Sequence, residues 1–333
     1  MNNFLVLLLS KSLITFGTVL AIAYSAVCLF LWATQGKFIF VPARAIETTP
    51  DDWQLKYQDV LLPIPTKTGA VETVHGWWIP ASENSRKVPG EVREAARVNP
   101  SEPPPSPPLL RGGVREAVPV PPLNKGGLGG VVLYLHGNGS TLGSTVEHAN
   151  RFHQLGVSVF AIDYRGYGKS QGDFPSESGV YEDAEFAWDY LVKQRGIHPN
   201  QIYIYGHSLG GAIAIDLAVR HPEVAGLIVE GSFTSVREMV DFRQRLFWMF
   251  PIDFLLTQRF DSLSKVDRLQ MPVLFIHGNA DSVVPSQMSK KLFDAAPEPK
   301  QLYMVPGGGH NNVAEIGGPE YLQRLSQFWD IPK

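Results

Sequence analysis

From Val131 onward the chain repeats one pattern, a short apolar run followed by a stretch of helical character. The runs are VVLYLHG, VSVFAIDY, QIYIYGHS, VAGLIVEGS, PVLFIHGN and QLYMVPG. Strands buried on both faces have this composition, because helices cover both sides of a parallel sheet. Between them lie SGVYEDAEFAWDYLVKQRG and LGGAIAIDLAVRH, both helical in pattern. Upstream, YQDVLLPI and VETVHGWWIPA predict a strand pair. The alternation predicts an α/β domain with a mostly parallel sheet and helices on both faces. Composition removes several other classes. Charged residues are 18% and aromatics 11% of the 333, which argues against global disorder. Twenty-nine basic against 32 acidic side chains leave no electrostatic footprint for nucleic acid. A single cysteine, Cys28, rules out a disulfide framework and a Cys-rich zinc site.

Two segments stand apart from the α/β pattern. LITFGTVLAIAYSAVCLFLWA, from Leu13 to Ala33, carries no charge. As a helix it spans about 30 Å, the thickness of a bilayer's hydrocarbon core. Trp32 at its edge suits a membrane interface. Residues 1–36 are therefore expected to form an N-terminal transmembrane anchor. A cleaved signal peptide is the rival, with Lys11 as its charged region and Ala21-Ile22-Ala23 as its cleavage site. The apolar run continues past Ala23, which favours retention. Lys11 before the span balances Lys37 and Arg44 after it, so charge sets no orientation. The second segment, residues 83–130, is crowded with proline from Pro100 to Pro122 and with glycine around it. Such a stretch has little to bury and is expected to be a disordered insertion within a domain covering 37–333.

The chemistry centres on Gly206-His207-Ser208-Leu209-Gly210. A GxSxG match alone is weak, but here a strand run precedes it and a helical run follows. A turn that tight strains the serine backbone and needs small residues two positions to either side. It lifts Ser208 Oγ above the sheet edge and leaves the Leu209 N–H at a helix N-terminus. A serine hydroxyl needs a base. His310, in VPGGGHNN after the last strand run, sits in a Gly-rich loop at the right sheet end. His136 and His207 lie in tight turns, where a structural hydrogen bond is the expected job. Asp281, in HGNADSVVP after PVLFI, is the expected acid that orients the imidazole; Glu230, ending LIVEG, competes for that role. HGNG at 136–139 follows the strand VVLYL, so the Asn138 N–H is the expected oxyanion donor beside that of Leu209, with Gly139 as substitute. No cluster calls for a metal or organic cofactor.

LYLHGNG, DYRGYGKSQG, YGHSLGGAIA, VEGSFTS, PVLFIHGNADSVVP and PGGGHNN, in this order, resemble the α/β-hydrolase superfamily. FIFVPAR and VHGWWIPA are similar to its membrane-anchored branch, related to Bem46-like and serine aminopeptidase-like hydrolases. The resemblance implies an α/β-hydrolase fold with the triad order Ser208, Asp281, His310, and a small helical cap over 232–270. The long insertion departs from the family, which joins these two strands by a short loop on the face away from the active site. FRQRLFWMFPIDFLL in the cap implies either packing on the core, or an acyl-pocket wall or membrane-dipping lid. The expected function is a membrane-bound serine hydrolase of esters or thioesters of small-molecule or lipid-like acyl groups. A peptidase of the serine aminopeptidase type and a non-catalytic membrane scaffold are the alternatives.

Overall fold

The computed structural model describes residues 2–66, 69–81, 129–243 and 245–329. Eight strands form one sheet: β1 (Gln58–Pro65), β2 (Val71–Ile79), β3 (Val131–Leu135), β4 (Ser158–Ile162), β5 (Ile202–His207), β6 (Gly226–Glu230), β7 (Val273–Gly278) and β8 (Lys300–Val305). Their order is β1-β2-β4-β3-β5-β6-β7-β8. β2 runs antiparallel to both its neighbours, and every pair from β4 to β8 is parallel. β3, β6 and β7 are buried along their whole length, so their apolar runs are what a sheet covered on both faces demands.

The helices are α1 (Asn2–Ile39), α2 (Leu142–Gln154), α3 (Glu177–Asp189), α4 (Leu209–Arg220), α5 (Val236–Arg243), α6 (Ile252–Leu255), α7 (Ser286–Ala295) and α8 (Val313–Trp329). One sheet face packs on α3, α4 and α7 through Val180, Ile213, Leu217 and Leu292. The other packs on α2 and α8 through Val146, Phe152, Tyr321 and Leu325. This is the α/β-hydrolase fold. Helix α1 starts well before Leu13, and its Leu7–Ile39 portion is long and apolar enough to cross a membrane. Between β6 and β7 lie α5, a 3₁₀ turn at Arg245–Met249, and α6.

The register locates two ends of the sheet. Leu135, His207 and Glu230 finish their strands at one edge, with His136, Ser208 and the loop to Asp281 beyond them. Ile79 pairs with Val159 and Val131 with Ser158, at the opposite edge. The expected insertion lies outside the described residues except for Gly129 and Gly130, but its attachment points are defined. The Ala81 N–H bonds to Ser158 Oγ at 2.9 Å, and the Ser158 N–H bonds to the Gly130 carbonyl at 3.1 Å. One residue therefore holds both ends. Replacing residues 83–128 by a Gly/Ser linker of about four residues should leave the thermal midpoint within about 3 °C, since closure entropy changes slowly with loop length. Circular dichroism melts of the two forms check this; a large drop would mean that the excised residues brace the domain.

Candidate active site

The turn between β5 and α4 makes the site. Ser208 sits at φ 54° and ψ −117°, a backbone region that costs a side-chain-bearing residue about 1–3 kcal/mol. Three hydrogen bonds hold it there. Its N–H donates to the Glu230 carbonyl at 2.8 Å, and its own carbonyl accepts from Ser232 Oγ at 2.8 Å and the Gly211 N–H at 3.0 Å. The flanking glycines are required by contact: a Cβ on Gly206 would lie 2.2 Å from the Gly210 carbonyl oxygen, and one on Gly210 would lie 2.0 Å from that of Leu135. The reading that small residues must flank the serine thus has a steric basis.

The expected triad residues come together. His310 Nε2 lies 2.9 Å from Ser208 Oγ, and His310 Nδ1 lies 2.7 Å from Asp281 Oδ2. Only the tautomer with hydrogen on Nδ1 satisfies both contacts with an ionised Asp281, leaving Nε2 to accept from the serine hydroxyl. Asp281 is sealed from solvent at its side chain. Burial by itself would raise its carboxyl, but bonds from His277, His310 and the Val284 N–H outweigh it and hold the carboxyl below the usual carboxylate range. Oδ1 accepts the N–H groups of Val283 and Val284 at 2.7 and 2.9 Å. Glu230, the competing acid, is occupied elsewhere: Tyr321 donates to its Oε2 at 2.7 Å.

Three partners complete the site, of which only the structural hydrogen bond of His207 was expected. His277 Nε2 faces the Val284 carbonyl at 3.0 Å and Asp281 Oδ2 at 3.1 Å, while its Nδ1 accepts from Ser289 Oγ at 2.6 Å. Two acceptors on one nitrogen put the hydrogen on Nε2, so His277 is a second donor to the acid. His207 donates from Nε2 to the His310 carbonyl at 3.0 Å. Burial pushes its imidazole down to about 4, so it stays a neutral clamp on the His310 loop near pH 7. The third is the Asn138 side chain. Its Oδ1 accepts from the Val41 N–H and the Tyr167 hydroxyl, both at 2.8 Å, and its Nδ2 donates to the Ile39 carbonyl at 2.7 Å. The HGNG loop is thereby fastened to the end of α1. His136, as expected, is structural, with Nδ1 2.8 Å from the Gly137 carbonyl.

Ser208 is 9% exposed and opens on a cavity of about 1020 Å³. Asn138, Gly139 and Leu209 line it beside Ser208 and His310. Leu209 is the first residue of α4, where an N–H has no intrahelical acceptor. Much of the remaining wall is apolar, from Phe233 and Val236 to Leu255 and Leu256, with Gln35, Ser144 and Arg243 among the polar residues that line it. Among the described residues, no group of three or more His, Cys, Asp or Glu is arranged to hold a metal ion.

Residues 128–262 and 254–317 match a family model described as serine aminopeptidase, S33. The chain is similar to an uncharacterised protein of Mycobacterium tuberculosis, 38% identical over 200 residues, which are 60% of this chain and 69% of that protein. It is similar to alpha/beta hydrolase domain-containing protein 17B of Homo sapiens, 35% identical over 201 residues. That match covers 59% of this chain and 65% of the human protein, just under two thirds of its length. Among solved structures, an esterase of Pyrococcus furiosus shares the fold with a TM-score of 0.59 at 17% identity, covering 87% of this chain and 96% of the other.

The depressed Asp281 carboxyl makes a stability prediction. Its charge contributes stability at pH values above the unfolded carboxylate value, about 4, and that contribution is lost as pH falls towards the folded value. Asp281→Asn should cost about 2 kcal/mol at pH 7, the scale of hydrogen bonds to a charged group. The gap to wild type should narrow steadily below about pH 4. Urea titrations at a series of pH values measure it; a gap independent of pH would mean that the lost stability owes nothing to the charge.

Proposed function

The chain belongs to the serine aminopeptidase S33 family and is an α/β-hydrolase, and we propose that it cleaves carboxylic esters or thioesters through an acyl-enzyme on Ser208. The observation that carries this is the unbroken line of contacts from Ser208 Oγ to His310 Nε2 at 2.9 Å and from His310 Nδ1 to Asp281 at 2.7 Å, at the floor of an apolar cavity. Ser208 Oγ attacks the acyl carbon while its proton passes to His310 Nε2. The carbonyl oxygen takes the negative charge and is met by the N–H groups of Asn138 and Leu209, each donor of this type being worth about 3 kcal/mol in the transition state. His310 then protonates the leaving alkoxide or thiolate, and the acyl group stays on Ser208. Water, deprotonated by the same imidazole, releases the acid and restores the hydroxyl. Asp281 stays ionised throughout and holds the Nδ1–H tautomer.

The family model's description raises peptide substrates, which the same triad could cleave. An aminopeptidase must also neutralise the free α-ammonium group of its substrate. Among the described residues lining the cavity there is no carboxylate, and Arg243 is the only acid or base besides histidines. That balance favours esters and thioesters. With α1 retained as a single-pass anchor beside the cavity, lipid-derived and acylated substrates are the class the site fits best.

Turnover on a panel of acyl esters and thioesters, from acetyl to palmitoyl, tests the assignment. Ser208→Ala should abolish it, and Asp281→Asn should lower kcat about 10⁴-fold. Glu230→Gln should stay within about tenfold of wild type, since Tyr321 rather than His310 is the partner of that carboxyl. Near-normal activity in Asp281→Asn, with loss in Glu230→Gln, would transfer the acid's role. Activity on aminoacyl-peptide substrates alone would replace the ester reading by the peptidase one.

A further inference from the structure

Helix α1 is a wall of the active site as well as an apolar segment. Leu31, Gln35 and Phe38 of α1 line the same cavity as Ser208, facing Phe247, Ile252 and Leu255 between β6 and β7. Specific bonds hold the two sides together. Gln35 Nε2 donates to the Leu255 carbonyl at 3.0 Å, and its Oε1 accepts the N–H groups of Thr257 and Gln258 at 2.7 and 3.2 Å. Higher on α1, the Tyr24 hydroxyl donates to the Met249 carbonyl at 2.9 Å, and its ring stacks on Phe250 with centroids 5.6 Å apart. If Leu13–Ala33 fills the hydrocarbon core, Tyr24 lies about 14 Å inside the boundary at Ala33. Tilt shortens that depth. It does not alter the order along the helix, which puts Met249 and Phe250 on the bilayer side of Gln35.

The segment packed there is dressed for lipid. Trp248 is 82% exposed and Phe254 is 89% exposed, and Phe242 and Met249 are exposed with them. None of these four lines the cavity. With the exposed apolar residues of α1 they put many large apolar side chains in contact with the surroundings, the composition of an interaction surface rather than a water-facing one. Nearby charges are partly neutralised: Arg237 pairs with Asp241 and Asp253, and Arg243 donates to the Val283 carbonyl. We propose that the tip at 247–255 is embedded in the leaflet that surrounds the C-terminal half of α1, and that the seam between them is the door through which a membrane-resident long-chain acyl ester or thioester reaches Ser208. This rests on the serine hydrolase reading for the chemistry, but the insertion stands on geometry alone.

The test uses the full chain reconstituted in phosphatidylcholine vesicles. Fluorescence of wild type minus that of Trp248→Phe isolates Trp248, and lipid brominated on its acyl chains should quench it. An unquenched Trp248 overturns the proposal whatever the enzyme does. In the double variant Trp248→Ser with Phe254→Ser, hydrolysis of a palmitoyl ester dissolved in the vesicles should fall about tenfold or more, as apolar insertion area is lost. Hydrolysis of a water-soluble acetyl ester should not change. Equal loss on both substrates, or no loss on either, overturns lateral entry. If wild type and Ser208→Ala hydrolyse neither substrate while Trp248 is quenched, the hydrolase reading and the door fall together and the embedded tip survives.

Discussion

A serine held at positive φ cannot stay there unaided, and much of the site serves to hold it. The turn at Ser208 works only because β5 and α4 meet closely enough for the Gly206 and Gly210 positions to touch backbone. The same closeness brings the Glu230 carbonyl and the Ser232 hydroxyl onto the Ser208 peptide groups. Strain is thus offset by hydrogen bonds from the next strand and the loop after it. The outcome is a hydroxyl projected at the carboxyl edge of the sheet, the edge to which β7 and β8 also deliver Asp281 and His310. Parallel strands put their loops on one side, so three residues far apart in the chain converge without any of them moving.

Electrostatics then sort the titratable groups by role. Asp281 receives two imidazole N–H groups and two backbone N–H groups, so its charge is stabilised before any substrate arrives. His207, only one residue from Ser208, is kept neutral by burial and spends its N–H on the His310 carbonyl. Under the proposed mechanism, His277 and His207 tune the line from Ser208 through His310 to Asp281 without competing as bases. Glu230 lends its main-chain carbonyl to the serine and its carboxyl to Tyr321, which explains why an acid at that strand end is not the one that meets His310.

Much of this was legible in the chain itself. The strand runs were readable because each is short, apolar and flanked by turns. Ser208, Asp281 and His310 were readable because each follows a strand run and sits in a turn of distinctive composition. What the chain concealed are contacts between distant segments with no local signature. Asn138 could be marked for its main chain, but its side-chain bonds reach back 97 and 99 positions. His277 looked like the end of a strand, and only its fold-determined proximity makes it a donor to Asp281. Gln35 carried no signal in the chain, since its partners lie 220 to 223 positions ahead. A side chain's neighbours across a fold are set by packing, which the local pattern does not encode.

The bonds from Asn138 to Ile39 and Val41 bear on how the molecule is mounted. Ile39 ends the helix, Val41 lies two residues beyond it, and Phe40 between them is buried. That junction is pinned: the end of the helix is hydrogen-bonded to the loop that borders Ser208. An enzyme on a flexible tether sweeps a volume and meets substrate at many heights above a surface. On the proposed anchor reading, a helix bolted to the cavity wall fixes Ser208 at a single altitude, and substrate has to be presented at that level.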